Sequence, residues 1–404
     1  MRTIVMLFTR DLRVHDNPAL AAASAHAEQV VPLFVLDPAI AAPSNRQRFL
    51  LEALDDLRKS LRDRGSDLLI RHGDPVAETV KVAQEFGATG IAMTEDYSAY
   101  ARRRQERLRL ECDQHRLALR TFPGVTIVPP GEVRPSTGGD HYKIFTPYHR
   151  AWQGRRWREL AQTPERLASP KLPRSQLKLL KPSPHWTGGE TEALRRLADW
   201  RPKADSYADG HDDLAGDRTS RLSPYLHFGC LSPLMLATSG MPDAFVRQLC
   251  WRDFYHQALA AFPAMATKPF RPGALDVWPG DDSALEAWKA GETGVPIVDA
   301  GMRQLAGEGW MHNRARLITA SYLTKTLGVD WRAGAAWFAE LLVDADVANN
   351  FGNWQWVAGT GTDTKPYRKF SPARQAQRFD PAGAYVHQWA PDSGVDLPQM
   401  PGLF

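Results

Sequence analysis

Short apolar runs alternate with amphipathic stretches over the first third of the chain. Residues 3–8, 30–36, 68–71 and 90–94 form compact apolar blocks and read as strands. Between them, residues 46–64, 76–86 and 99–117 carry apolar side chains at helical spacing. Such alternation predicts a parallel sheet with helices on both faces. Across residues 129–189 the pattern breaks down. Pro129, Pro130, Pro135, Pro164, Pro170, Pro173, Pro182 and Pro184 remove backbone donors and prevent long helices, so this stretch reads as an irregular surface connector. After Glu190 strand signals nearly vanish, helical spacing dominates, and no internal repeat is visible.

Residues 344–356, D-A-D-V-A-N-N-F-G-N-W-Q-W, stand out from this pattern. The run is too polar for an ordinary core helix and too rich in tryptophan for a solvated loop. If it is helical, Trp354 and Trp356 sit about 200° apart around the axis and face nearly opposite sides. One indole could then serve a buried redox group and the other a planar ligand in a surface cavity. Packing of two indoles against two neighbouring elements is the plainer alternative.

Composition narrows the class. The 404 residues leave room for about two or three domains, and 43% hydrophobic with 24% charged residues is ordinary for a soluble globular chain. No stretch approaches the length of a membrane span. Cys112, Cys230 and Cys250 are odd in number and far apart, which argues for a reducing, cytoplasmic compartment and against a structural metal. The net charge of +4 permits a polyanionic partner. Arginines crowd residues 102–109, where Glu106 and Glu111 interrupt them as on a solvated helix face. Arg155, Arg156 and Arg158 interleave with Trp152 and Trp157, and Arg368, Lys369, Arg374 and Arg378 form a third group, both suited to phosphate contacts.

Two motifs carry candidate chemistry. In T-S-R-L-S-P (219–224), Ser223 is placed to cap a helix with Pro224 at its first position. The hydroxyls and Arg221 would also suit a pyrophosphate. The turn after the first strand, T-R-D-L-R-V-H-D-N-P, has no G-x-G-x-x-G, so the usual dinucleotide fingerprint is absent there. G-W-M-H-N-R-A-R-L (309–317) opens a helix expected to run to Leu327 and stop at Gly328. Asn313, Arg316 and Leu317 share one of its faces, and a buried arginine there needs a carboxylate from Asp344 or Asp346. His312 is assigned no chemistry.

With R-D-L-R-V-H-D-N (10–17), Y-K-I-F-T-P-Y (142–148), T-S-R-L-S (219–223), W-R-D-F-Y (251–255), T-G-V-P-I-V-D-A-G-M-R-Q-L (293–305), G-W-M-H-N-R-A-R (309–316) and the run from Asp344 through G-T-G-T-D, essentially the whole chain resembles the photolyase/cryptochrome family. The resemblance implies an α/β fold: a Rossmann-like antenna domain over residues 1–130, a linker over 131–190, and an all-helical FAD-binding domain over 191–404. It implies flavin contacts from Tyr207, Thr219, Ser220, Arg221, Leu222, Ser223, Gln248, Arg252, Asn313, Arg316, Phe338, Asp344, Asp346 and Asn350. Within this set Arg316 pairs with Asp344, and Asn350 faces the flavin N5. The family's electron relay falls on Trp354, Trp331 and Trp278. Trp251 and Trp356 wall the lesion cavity, with Leu317, Arg314, Gln375 and His211 toward DNA.

Within the family, repair of cyclobutane pyrimidine dimers is the expected function. Six-four photoproduct enzymes carry histidines where this chain has Asn313 and Leu317. Cryptochrome sensors tend to lose the tryptophan at 251, to replace the asparagine at 350 and to gain a long tail, whereas this chain stops at Phe404. Departures from dimer photolyases are Gln248 in place of glutamate, Leu317 in place of methionine, His211 in place of arginine and a short C-terminus. For the second chromophore, Tyr100 and Ala101 disfavour methenyltetrahydrofolate, while Arg46, Asp96 and the F-V-L-D-P strand end match an 8-hydroxy-5-deazaflavin. The expected protein is a monomer acting on UV-damaged DNA, with no membrane contact and no metal.

Overall fold

The structure, a computed structural model, describes residues 2–40, 44–136, 138–173 and 176–393. The short-tail reading rests on residues that lie partly outside this set. The chain divides into two compact units. Unit 1 comprises residues 1–142, 147–202 and 221–263, and unit 2 comprises residues 143–146, 203–220 and 264–404.

Unit 1 opens with β1 (Thr3–Phe8), α1 (Pro18–His26), β2 (Gln29–Leu36), α2 (Ser44–Arg62), β3 (Leu69–His72), α3 (Pro75–Glu85), β4 (Gly90–Thr94), α4 (Ala99–Gln114) and β5 (Ala118–Phe122). The strands form one parallel sheet in the order β3-β2-β1-β4-β5, with Val5 opposite Val31 and Ile91. Its central strands are apolar on both faces because helices cover both, and Val5, Leu7, Val31, Leu33, Ile91 and Met93 share one core with Val82 and Leu108. Asn17, Asp74 and Ser98 cap α1, α3 and α4 through their side-chain oxygens.

The segment after β1 is a buried polar knot. The Arg13 guanidinium is 1% exposed and donates to the carbonyls of His15, Asp16, Gly124 and Gly229 at 2.9–3.2 Å. Asp11 accepts from Thr9 N, Asn17 Nδ2 and Thr94 Oγ1, and Asp16 accepts from Arg158 and Ser232. Gly229 sits with φ +68°, where a Cβ would strike the Arg10 backbone.

Three elements were not expected. β5 is largely exposed and lacks an apolar block, and α1 is alanine-rich with no apolar stripe. α5 (Phe145–Gly154) lies inside the proline-rich stretch. The basic cluster there is largely engaged. Trp152 is fully buried, Arg155 pairs with Glu132, and Arg158 pairs with Asp16. The chain continues through α6 (Glu190–Trp200), α7 (Tyr207–Gly210), α8 (Ser223–Phe228), α9 (Pro233–Thr238) and α10 (Asp243–Ala261).

Unit 2 contains α7 and then α11 (Asp282–Ala290), α12 (Pro296–Glu308), α13 (Asn313–Lys325), α14 (Trp331–Leu341), α15 (Val347–Ala358), α16 (Pro372–Phe379) and α17 (Ala384–Trp389). Trp288, Leu323, Trp331, Phe338 and Trp354 are buried together in its core. No described helix is long and apolar enough to cross a membrane.

In unit 1, Asp253 on α10 is 1% exposed. Its Oδ2 accepts from the Ile127 and Val128 amides at 2.9 Å and from Trp152 Nε1 at 3.0 Å, tying three segments together. Burial outweighs the nearby Arg252 and these hydrogen bonds, and pushes its carboxyl up from 3.8 to about 6. A carboxyl raised on folding contributes most while protonated, below its unfolded value, and that contribution is lost as pH rises through the folded one. Relative to Asp253→Asn, the native protein should lose about 2–3 kcal/mol of stability between about pH 4 and about pH 7. Denaturant titrations at several pH values check this, and a pH-independent difference between the two proteins would exclude the linkage.

Candidate functional site

In unit 2 the expected residues gather on α13, α14 and α15. His312 caps α13 by accepting from Arg314 N through Nδ1 at 3.1 Å, which gives this histidine a structural task. The helix ends at Lys325, two residues before the expected end, and Gly328 follows with φ +68°. One turn in, Arg316 meets Asp344 through two parallel bonds of 3.1 and 2.9 Å, and its Nε donates to the Met311 carbonyl at 2.8 Å. Asp344, not Asp346, is therefore the carboxylate that the arginine requires. Asp346 caps α15 by accepting from Asn349 N.

Along α15 the two indoles diverge as the helical geometry demands. Trp354 is 2% exposed and meets Phe338 edge-on at 4.9 Å and Trp288 at 5.9 Å. Gly334 makes room for it, since a Cβ there would overlap the Trp354 ring. Trp356 is only partly buried, stacks on Phe370 at 6.3 Å, and carries the Arg368 guanidinium 5.5 Å from its ring centre. Arg368 and Phe370 thus give Trp356 a basic and aromatic border, and Lys365, Tyr367, Lys369, Arg374 and Arg378 on the same stretch of chain are exposed.

Other expected residues are placed as follows. Asn350 Nδ2 donates to the Ala335 carbonyl at 2.9 Å, which orients the amide and leaves its carbonyl oxygen and one N–H to offer a ligand. Asn313 is exposed, and Leu317 and Gln375 are half-buried. Tyr207 is buried and stacks on His211 at 5.1 Å. Arg314, expected at phosphate, forms two bonds of 3.1 and 2.7 Å with Asp212, which sequence reasoning had not singled out. A phosphate contact would have to compete with that carboxylate.

Thr219, Ser220 and Trp278 also belong to unit 2, and unit 1 holds the others. Leu222 is the capping position of α8 and Ser223 its first residue, one residue earlier than anticipated, and Arg221 sits in the left-handed region at φ +50°. On α10, Gln248 is exposed, Trp251 is half-buried beside Phe254 and Tyr255, and Arg252 is buried and bonded to the Val125 carbonyl. At the carboxyl ends of β1 and β4, where the strand order reverses, Arg10 reaches Asp96 at 3.4 Å. Open α/β sheets bind ligands at that switch point. Nearby on α4, Tyr100 donates to Asp37 and lies under Arg104.

A family model described as DNA photolyase matches residues 4–168, and one described as the FAD binding domain of DNA photolyase matches residues 245–398. The chain is 48% identical over 413 residues to the deoxyribodipyrimidine photo-lyase of Streptomyces griseus, covering 97% of this chain and 90% of that protein. The chain belongs to the DNA photolyase family. Cryptochrome DASH of Danio rerio is 34% identical, covering 97% of this chain and 83% of its own length. The crystal structure of a class III photolyase from Agrobacterium tumefaciens has the same fold, with a TM-score of 0.89, 34% identity, and coverage of 97% and 87%.

The residue types present in each unit, taken by itself, are ones that suit a bound FAD. Asn313 and Asn350 supply amides for a flavin edge, and Arg316 with Asp344 forms a neutral pair. Hydroxyls at Thr219, Ser220 and Ser223 with Arg221 match the needs of a pyrophosphate. Truncating one partner of a buried ion pair strands the other. Asp344→Ala should therefore cost about 3 kcal/mol, the low end for such pairs because Arg316 keeps some exposure to water. Thermal unfolding and the FAD content of the purified variant read this out. An unchanged midpoint with full FAD content would show that the pair contributes neither stability nor binding.

Proposed function

We propose that this chain is a deoxyribodipyrimidine photo-lyase that repairs cyclobutane pyrimidine dimers in DNA with light absorbed by bound FAD. The observation that carries this reading is the divergence of the two indoles on α15. Trp354 lies in the core, and Trp356 has a basic and aromatic border. A damaged dinucleotide must leave the duplex stack, and photolyases are among the enzymes for which base extrusion is a general principle. Trp356 and Trp251 would stack on the extruded dimer, with Leu317 as an apolar wall. Exposed Arg368, Lys369, Arg374 and Arg378 would hold phosphates regardless of sequence. Gln375, His211 and Arg314 complete the DNA-facing set.

FAD, when bound in its reduced form, supplies the excited-state electron that splits the cyclobutane ring. Tyr207, Thr219, Ser220, Arg221, Leu222, Ser223, Arg252, Asn313, Phe338, Asp344 and Asp346 would enclose it, and Arg316 would neutralise Asp344 beside it. Asn350 would offer an acceptor oxygen suited to an N–H of the reduced ring, without adding charge. Trp354, Trp331 and Trp278 would carry electrons inward to restore the reduced form. Residues 1–130 would house an antenna chromophore, 131–190 a linker and 191–404 the FAD-binding part. Identity to Cryptochrome DASH supports a second reading, a light sensor without repair activity.

The deciding experiment illuminates the FAD-loaded protein with an oligonucleotide carrying one thymine dimer. Dimers should disappear in the light and persist in the dark, and no light-dependent loss would sink the repair reading. Trp356→Ala should weaken binding of the damaged strand by about 10–100-fold, the value of one base–aromatic stack.

Gln248 would hold the dimer through an amide that donates at every pH. Repair should therefore be nearly flat from mildly acidic to mildly alkaline pH, whereas Gln248→Glu should make it fall as the introduced carboxyl ionises. Identical profiles would exclude a direct role. The antenna is proposed to be 8-hydroxy-5-deazaflavin, held near Arg46 and Asp96. Mass spectrometry of protein from its native host should find it at stoichiometric level, and a stoichiometric folate would overturn the assignment.

A further inference from the structure

The loop before α11 places a carboxylate at the outer end of the proposed tryptophan relay. Trp278 packs on the edge of the unit 2 core, and its Nε1 donates to Asp276 Oδ1 at 2.8 Å. The same carboxylate takes two bonds from Arg332, at 3.0 Å to Nη1 and through Nη2. Arg332 is anchored further by the Thr267 carbonyl at 2.8 Å and by Asp330, and its guanidinium lies 4.8 Å from the ring centre of fully buried Trp331. Asp276 and Arg332 therefore link the surface tryptophan to the buried one. None of this is required for packing, since Asp276 is exposed and flanked by Leu275 and Val277 at 73% and 78% exposure.

We propose that Asp276 is the proton acceptor for oxidised Trp278, and that Arg332 biases the electron vacancy outward from Trp331 to Trp278. The inference rests on the relay reading given above. One-electron oxidation leaves an indole positively charged and makes its N–H strongly acidic. A guanidinium over the Trp331 face stabilises the neutral ring and opposes positive charge on it. A carboxylate on Trp278 Nε1 does the reverse.

With FAD bound and excited, an electron would leave Trp354, Trp331 would refill Trp354, and Trp278 would refill Trp331. The Trp278 radical cation then passes its Nε1 proton to Asp276 Oδ1, leaving a neutral indolyl radical and a neutral carboxylic acid. An external thiolate later returns one electron and becomes a thiyl radical, while the indole recovers its proton from Asp276, which is left ionised again. Loss of charge at Trp278 removes the attraction that would drive the electron back. Arg332, and to a lesser extent the Trp278 and Trp331 indoles, hold the Asp276 carboxyl below the ordinary range, so it is ionised and able to accept the proton at neutral pH, although the same pairing makes it a weaker base.

The test compares native protein with Asp276→Asn, which keeps a hydrogen-bond acceptor but no base, and with Asp276→Ala, which removes both. Indole 15N–1H spectra of the protein, with the Trp278 signal assigned by its absence in Trp278→Phe, report the ground-state bond. The signal should stay near its native position in Asp276→Asn and move in Asp276→Ala. After a flash on the FAD-loaded protein without DNA, transient absorption distinguishes the charged from the neutral indole radical. Native protein should deprotonate quickly and independently of buffer concentration. Asp276→Asn should hold the radical cation about 100-fold longer, with decay accelerated by added buffer base. Equal deprotonation rates in native protein and Asp276→Asn would overturn the proposal. A long-lived tryptophan radical that survives in Trp278→Phe would instead refute the relay itself, and that outcome is distinguishable because it does not involve Asp276.

Discussion

Each unit is organised by a guanidinium, 1% exposed at Arg13 in unit 1 and 24% exposed at Arg316 in unit 2, whose donors meet fixed backbone or carboxylate oxygens. In unit 1 Arg13 converges on carbonyls from the turn after β1, from Gly124 after β5, and from Gly229 after α8. A cation taken out of water is tolerated only when such partners are in place. The position of the turn, and with it Arg10 at the switch point of the sheet, follows from that requirement. In unit 2 Arg316 plays the corresponding part. Its pairing with Asp344 holds the segment leading into α15, and α15 carries both indoles of the proposed function. Two small electrostatic constraints thus orient the surfaces on which the proposed chemistry depends.

The surroundings of the indoles separate their tasks. Trp354 is enclosed by aromatic rings, which exclude water as the proposed electron-transfer role requires. Trp356 is left partly open beneath a guanidinium, which suits reversible stacking on a planar ligand. Asn350 belongs to the same economy, because the bond from its amide nitrogen to Ala335 leaves an oriented acceptor and no charge.

What the sequence revealed tracks the strength of the underlying physics. Central parallel strands are apolar on both faces, so β1, β2 and β4 were legible as blocks. β5 pairs on one side only and is mostly exposed, and α1 packs through alanines, so neither left a periodic signal. α5 was hidden because prolines on either side dominate the reading of its neighbourhood. The Arg316 partner followed from the cost of burying an arginine. Trp354 and Trp356 were separable by helical angle alone. Asp212, Asp276 and Arg332 were not legible, because their partners are brought near by folding and nothing in their local sequence marks them. The segment at residues 10–17 stood out only by resemblance. Its physical role, a self-satisfied polar knot, emerges from hydrogen bonds that join stretches more than a hundred residues apart.

Gly334 lies one turn beyond Trp331 on α14, and the missing side chain there lets the rim of Trp354 ride directly against that helix. Electron tunnelling weakens exponentially with the gap between donor and acceptor edges. A methyl group at this position would lie 2.3 Å from the Trp354 rim and 2.5 Å from Leu323, so it would push both aside, at about 1–3 kcal/mol for an overpacked core. Under the proposed relay the same displacement would also slow charge movement, so that the smallest residue in the chain would set a distance as well as a fit.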